Sequence, residues 1–179
     1  MRFILAATLL IGLAPSALLA GDDNPFAKAK VGDWVEYRMT GPGMEGKTKM
    51  TIVAKGDKEV TYEVAATFSV MGQEMVAPIQ KMTVDLTKPY DAISAANLKR
   101  TGTKIETEAE GAEKLKVGGK EFDTKWSKLK CTTTQNGVTI VSDFKFWFCQ
   151  DVPVSGLVRM ETSVGEITTK LELVGSGRK

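Results

Sequence analysis

The sequence predicts an all-β protein: a curled antiparallel sheet or half-open barrel of about eight strands, with room for one short helix. Three observations carry this reading. Val60, Tyr62, Val64, Ala66, Phe68 and Val70 alternate with Thr61, Glu63, Ala65, Thr67 and Ser69, the period of a half-buried strand. Further apolar-alternating segments follow at short intervals, separated by turn signals such as Gly56-Asp57, Gly118-Gly119 and Asn136-Gly137. Each strand pairs one apolar parity with one of Lys, Glu and Thr. The sheet therefore has a dry side that must be covered by closure, by a helix or by a second sheet.

Residues 1–20 stand apart as a signal peptide. Arg2 gives the positive start, Phe3 to Leu13 the apolar stretch, and Ala17 to Ala20 the small-residue cleavage pattern. This run is too short for a membrane span, so cleavage near Ala20 is expected to leave a secreted or periplasmic chain with no transmembrane segment. Residues 21–179 then form a single β domain, ordered from about 25 to 175. Val31, Val35, Tyr37 and Met39 mark the first strand, and Met50, Ile52 and Ala54 the second. The long Val60–Val70 strand follows, then Met82, Val84 and Leu86. Ala92 to Leu98 suits one or two helical turns, and Lys99 to Gly111 reads as a polar loop or short helix. Leu115 and Val117 lead through Gly118-Gly119 to Phe122. Phe144, Phe146 and Phe148 share an apolar parity, which turns Lys145 and Trp147 outward or toward a neighbouring loop. Trp34 shares its outward parity with Glu36 and Arg38. Asp151 to Gly156 forms a corner, because Pro153 cannot donate to a ladder and Gly156 permits the bend. Ile167 to Leu173 is the last strand, and Gly175 to Lys179 reads as a frayed tail.

Two segments, VGDWVEYRM and WFCQDVPVSGLVRMET, resemble those of uncharacterised secreted bacterial β proteins. The strand pattern as a whole is similar to the half-open barrels of the periplasmic lipoprotein carriers (LolA-like folds). That resemblance implies a curved sheet whose concave face accepts something apolar, and no enzyme activity.

Composition narrows the chemistry. There is no histidine, which removes the commonest general base and metal ligand and any Ser-His-Asp or Cys-His arrangement. No phosphate loop, dinucleotide fingerprint or nucleophile elbow occurs. No catalytic set, cofactor or metal site is therefore expected. Glu106, Glu108, Glu110 and Glu113 read as solvated acids, since nothing apolar surrounds them to raise a pKa. Removal of Arg2 leaves 23 basic against 22 acidic residues, interspersed, which argues against nucleic-acid binding.

Methionine is the unusual apolar choice, and it suits an adaptable ligand surface as well as an irregular core. With the aromatics it nominates Trp34, Met39, Met82, Phe146, Trp147 and Met160 as apolar-ligand candidates. The expected partner is an apolar small molecule or a lipoprotein. The alternative is an interaction domain of the cell envelope with no cavity. The oligomeric state is left open.

Cys131 and Cys149 are the candidate disulfide. A type I′ turn at Asn136-Gly137 makes opposing residues sum to 273. Cys131 then faces Ser142, and about 20 Å separates the two thiols along the ladder. A longer loop, with a sum of 280, sets them face to face. Secretion favours the bridge and the Asn-Gly turn opposes it.

Overall fold

A computed structural model of the chain describes residues 24–88, 98, 101–135 and 137–178. The signal-like segment 1–20 lies outside the described residues, as does the helical turn expected at 92–98 apart from Leu98. The rest is all-β. In chain order the strands are β1 Trp34–Gly41, β2 Met44–Lys55, β3 Glu59–Val70, β4 Gln73–Val76, β5 Gln80–Asp85, β6 Thr103–Val117, β7 Lys120–Gln135, β8 Val138–Phe148, β9 Leu157–Val164 and β10 Ile167–Gly177. They form one antiparallel sheet in the order β4-β3-β2-β1-β10-β9-β8-β7-β6, with β5 also paired to β3.

No helix and no separate second sheet covers this sheet among the described residues. Yet side chains from Tyr62 on β3 to Leu129 on β7 bury into a single apolar cluster. A flat sheet of this width could not bring them together, so the sheet curls about that face. This is the inner face, and the other is the outer.

Two plugs close one end of the curl. Phe26, just ahead of β1, is fully buried and stacks on Tyr62 with ring centroids 5.3 Å apart. Lys55 Nζ holds this segment by donating to the carbonyls of Ala27 and Ala29. The expected corner after β8 is the second plug, with residues 152–158 buried throughout. Gly156 takes a positive φ there, as its bend requires, and so does Val154, at 65°. A β-branched residue in that region is strained by about 1–3 kcal/mol. Complete burial of its side chain offsets the strain. Tyr37 locks the corner, its hydroxyl lying 2.8 Å from Ser155 Oγ and donating to the Leu157 carbonyl.

The opposite end carries the hairpin tips β1–β2, β3–β4, β7–β8 and β9–β10. Of the eleven large apolar side chains exposed among the described residues, eight sit on the last three of these hairpins: Met71, Met75, Val76, Val138, Ile140, Val141, Val164 and Ile167.

The expected curled antiparallel sheet is present, with ten strands. Three local expectations require correction. The polar stretch expected as a loop or short helix is, from Thr103 on, β6, because an edge strand needs partners on one side only and β7 supplies them from Thr103 to Val117. Val31 lies in a turn before β1, where Gly32 has a φ of 92°. The tail does not fray at Gly175. β10 continues to Gly177, since Trp34 lies over both glycines.

Candidate functional site

Register arranges the inner face in rows across the sheet. Toward the plugs, one row includes Leu173, Tyr37, Thr48 and Ala66, all buried. The next is Phe146, Met160, Leu171, Met39, Gly46 and Phe68. In it Phe146, Leu171 and Met39 are buried, and Met160 and Phe68 half-buried. Nearest the hairpin tips are Phe144, Thr162, Thr169, Met44 and Val70, every one half-buried. The inner face is thus packed solid at the plugged end and opens toward the tips.

The methionines follow this gradient. Met50 is 1 % exposed and Met39 6 %, while Met160 and Met44 are half-buried. Met75 reaches 46 % at the sheet edge and Met71 90 % at the β3–β4 tip. Met82 is half-buried on β5, its sulfur accepting from the Tyr62 hydroxyl at 3.3 Å. Burial pushes that hydroxyl up to about 12.

The six residues singled out in the sequence do not form one site. Met39, Met82, Phe146 and Met160 belong to the inner face, and Phe146 is wholly core, between Phe144 and Phe148 in a stack. Trp34 and Trp147 belong to the outer face, as parity required. Trp147 is nevertheless only 4 % exposed. It sits directly opposite Trp126 on β7 and Arg159 on β9. The Lys145 ammonium lies 4.4 Å from the centroid of each of these two indoles, and the Arg159 guanidinium 5.6 Å from that of Trp147. The indole N–H donates to Glu113 Oε1, which holds that carboxyl below its usual range. The β6–β7 arm covers the indole. The Glu113–Trp147 bond reaches across β7 on the outer face, and β6 also touches β10, four places away in the sheet order, so the arm folds back over that face.

Glu172 lies beside this group. Burial alone would raise its carboxyl, but hydrogen bonds from Lys170 and Arg159 override that and lower it. Glu108, another acid of the β6 cluster, is lowered by Lys128. Each of these acids thus serves an ion pair.

The adopted β7–β8 register is the 273 one: Cys131 faces Ser142, and Lys125 faces Phe148. Both thiols are free and buried. Burial pushes Cys131 up to about 11, and Cys149 is raised for the same reason.

The outer face also holds a cavity of about 200 Å³ across β1–β4, lined by Arg38, Glu45, Lys47, Thr67, Ser69 and Glu74. None of these was singled out in the sequence, where each reads as an ordinary solvated residue.

The fold is similar to that of a Bacteroides fragilis protein described as exported and as having a YmcC-like fold. The TM-score is 0.52 at 10 % identity, over 84 % of this chain and 97 % of that one. A Parabacteroides distasonis protein described as a lipoprotein aligns with a TM-score of 0.46 at 9 % identity, over 83 % of this chain and 96 % of that one. The first likeness concerns the fold alone. No protein-family profile matches the chain, and no curated protein does.

Proposed function

We propose that this protein is an exported, non-enzymatic binding module that seats an apolar chain of the acyl type, free or carried by a lipoprotein, at the mouth of its inner face. The methionine gradient carries the reading. Unbranched, polarizable side chains become progressively available toward the hairpin end, where Met44, Phe68 and Phe144 flank half-buried threonines. Such a surface adapts to a chain of no fixed shape. The signal-like segment and the resemblance to LolA-like carriers agree with it. So does the chemistry of the acids. Asp85, Glu108, Glu113 and Glu172 all shift downward, whereas a general acid at neutral pH needs a raised carboxyl.

The test is native mass spectrometry of the purified protein, with uptake of a hydrophobic fluorescent dye measured in parallel. Bound lipid or dye uptake is expected, weakened by Met44→Glu and Met160→Glu and unaffected by Met71→Glu. Neither bound lipid nor dye uptake by the wild type would sink the proposal. The second reading, an envelope interaction domain with no ligand cavity, draws support from the plugged end, where Tyr37 and Phe26 are fully buried. It expects no dye uptake and a stable protein partner in pull-downs.

A further inference from the structure

The charged side chains of the outer-face cavity lie on the side opposite the proposed apolar site; Gly46 and Phe68, of the inner-face row, also line the cavity, and the charged rows are argued independently of that site. Arg38 on β1 faces Lys47 on β2, and Lys47 faces Thr67 on β3. Two residues nearer the tips, Glu45 on β2 faces Ser69 on β3, and Ser69 faces Glu74 on β4. A cationic row therefore runs beside an anionic row, about 7 Å apart along the strands.

Like charges set directly opposite are destabilising, which applies to Arg38 and Lys47. Elsewhere on the sheet such strain is relieved by ion pairs, as in Arg159–Glu172–Lys170 or Lys128–Glu108–Lys130. Here it is not. No ion pair joins Arg38, Lys47, Glu45 and Glu74 to one another or to any other described residue. Glu172, the cross-strand neighbour of Arg38, is engaged by Arg159 and Lys170. Two cations and two anions thus line one cavity with none of them held in a direct ion pair among the described residues, and the hydroxyls of Thr67 and Ser69 stand among them.

The ligand that satisfies both rows carries an anion and a cation on one short frame. The volume, about 200 Å³, is below the roughly 300 Å³ where sites for drug-sized ligands begin. It suits a headgroup rather than an acyl chain. The surroundings add an apolar edge. Val76, 76 % exposed, ends the cationic row at the sheet margin, and Met71 stands at the tip beyond the anionic row. We propose that this groove binds a phosphate–ammonium zwitterion of the phosphoethanolamine type. Arg38 and Lys47 take the phosphate, Glu45 and Glu74 the ammonium, and the two hydroxyls donate to the remaining phosphate oxygens.

Titration of the purified protein with phosphoethanolamine, followed by amide resonances, tests this beside co-sedimentation with phosphatidylethanolamine, phosphatidylcholine or phosphatidylglycerol vesicles. Shifts centred on β1–β4 are expected. Arg38→Gln/Lys47→Gln and Glu45→Gln/Glu74→Gln should each weaken binding about ten-fold or more, since each removes charge-assisted hydrogen bonds. All four positions are accessible, so melting temperatures should hold. Sedimentation with phosphatidylethanolamine vesicles, competed by free phosphoethanolamine, identifies a lipid source for the zwitterion. Resonance shifts without sedimentation identify a soluble one. The proposal is overturned if inorganic phosphate binds as well as phosphoethanolamine, if the glutamine variants bind like wild type, or if no shift appears. Loss of the inner-face dye site by Met44→Glu should leave this titration unchanged, which separates the two proposals.

Discussion

The indole of Trp34 lies across the β1–β10 pair over Gly177, its direct partner, and over Gly175 beyond it. A Cβ at Gly175 would come 3.2 Å from the ring. The aromatic ring covers what two glycines leave bare, and the glycines give the ring a flat seat.

Gly177→Val should therefore destabilise the protein by about 1 kcal/mol, although valine is the better strand former. The cost should vanish in Trp34→Ala, where the two positions no longer compete. Denaturant melts of the double-mutant cycle would show the coupling. Additive effects would mean that the ring has another seat in solution.

The inner-face gradient makes methionine positions unequal. Met50→Ala should cost about 2–5 kcal/mol, because it leaves a cavity in packed core, and Met71→Ala should stay within about 0.5 kcal/mol. Chemical denaturation of the two variants compares them directly.

Glu113 keeps Trp147 covered by tying the β6–β7 arm to β8. In a Trp34→Phe, Trp126→Phe background, Glu113→Ala should open Trp147 to acrylamide quenching. Glu113→Gln, which still accepts from the indole, should leave it protected. Equal quenching in both variants would place the arm's anchorage elsewhere, for example on Val117, which is buried.

Both thiols should be alkylated after denaturation without reductant, giving two additions by intact mass. In the native state Cys131 should react slowly at pH 8, since burial holds its pKa at about 11 against an ordinary 9.0.

The same shift sets the alkaline stability limit. The folded chain holds the Cys131 proton more tightly than the unfolded chain. That contribution is complete below pH 9.0 and is lost as the pH rises toward about 11. Tyr62, raised to about 12, and Tyr37, raised by burial, act in the same sense from pH 10.0 upward. On the acid side Asp85 is lowered to about 2 from 3.8 by hydrogen bonds from Thr87 and Lys88, so its contribution disappears as the pH falls through that window. With no histidine in the chain, stability should be level between about pH 5 and 8. A slope there in thermal melts would contradict this.

By itself the sequence determined which residues share a face, because side chains in a strand alternate without regard to the rest of the chain. For β7–β8 it offered two registers, with opposing residues summing to 273 or to 280, and the structure adopts the first. The 273 register is the one the Asn-Gly signal favours, and it sets Cys131 against Ser142 rather than Cys149. The same arithmetic about Pro42-Gly43 pairs residues summing to 85, which sets Arg38 against Lys47. What only the tertiary structure decided is how far each face is covered. Parity put Trp147 outside, and a fold-back of the β6–β7 arm from four strands away buried it. β6 itself has little apolar pattern and exists as a strand because β7 offers an edge. Glu45 and Glu74 meet around Ser69 only because β4 doubles back on β3. Local chemistry chooses the side of a strand. Which strands lie beside it, and what folds over it, depends on contacts between residues far apart in the chain.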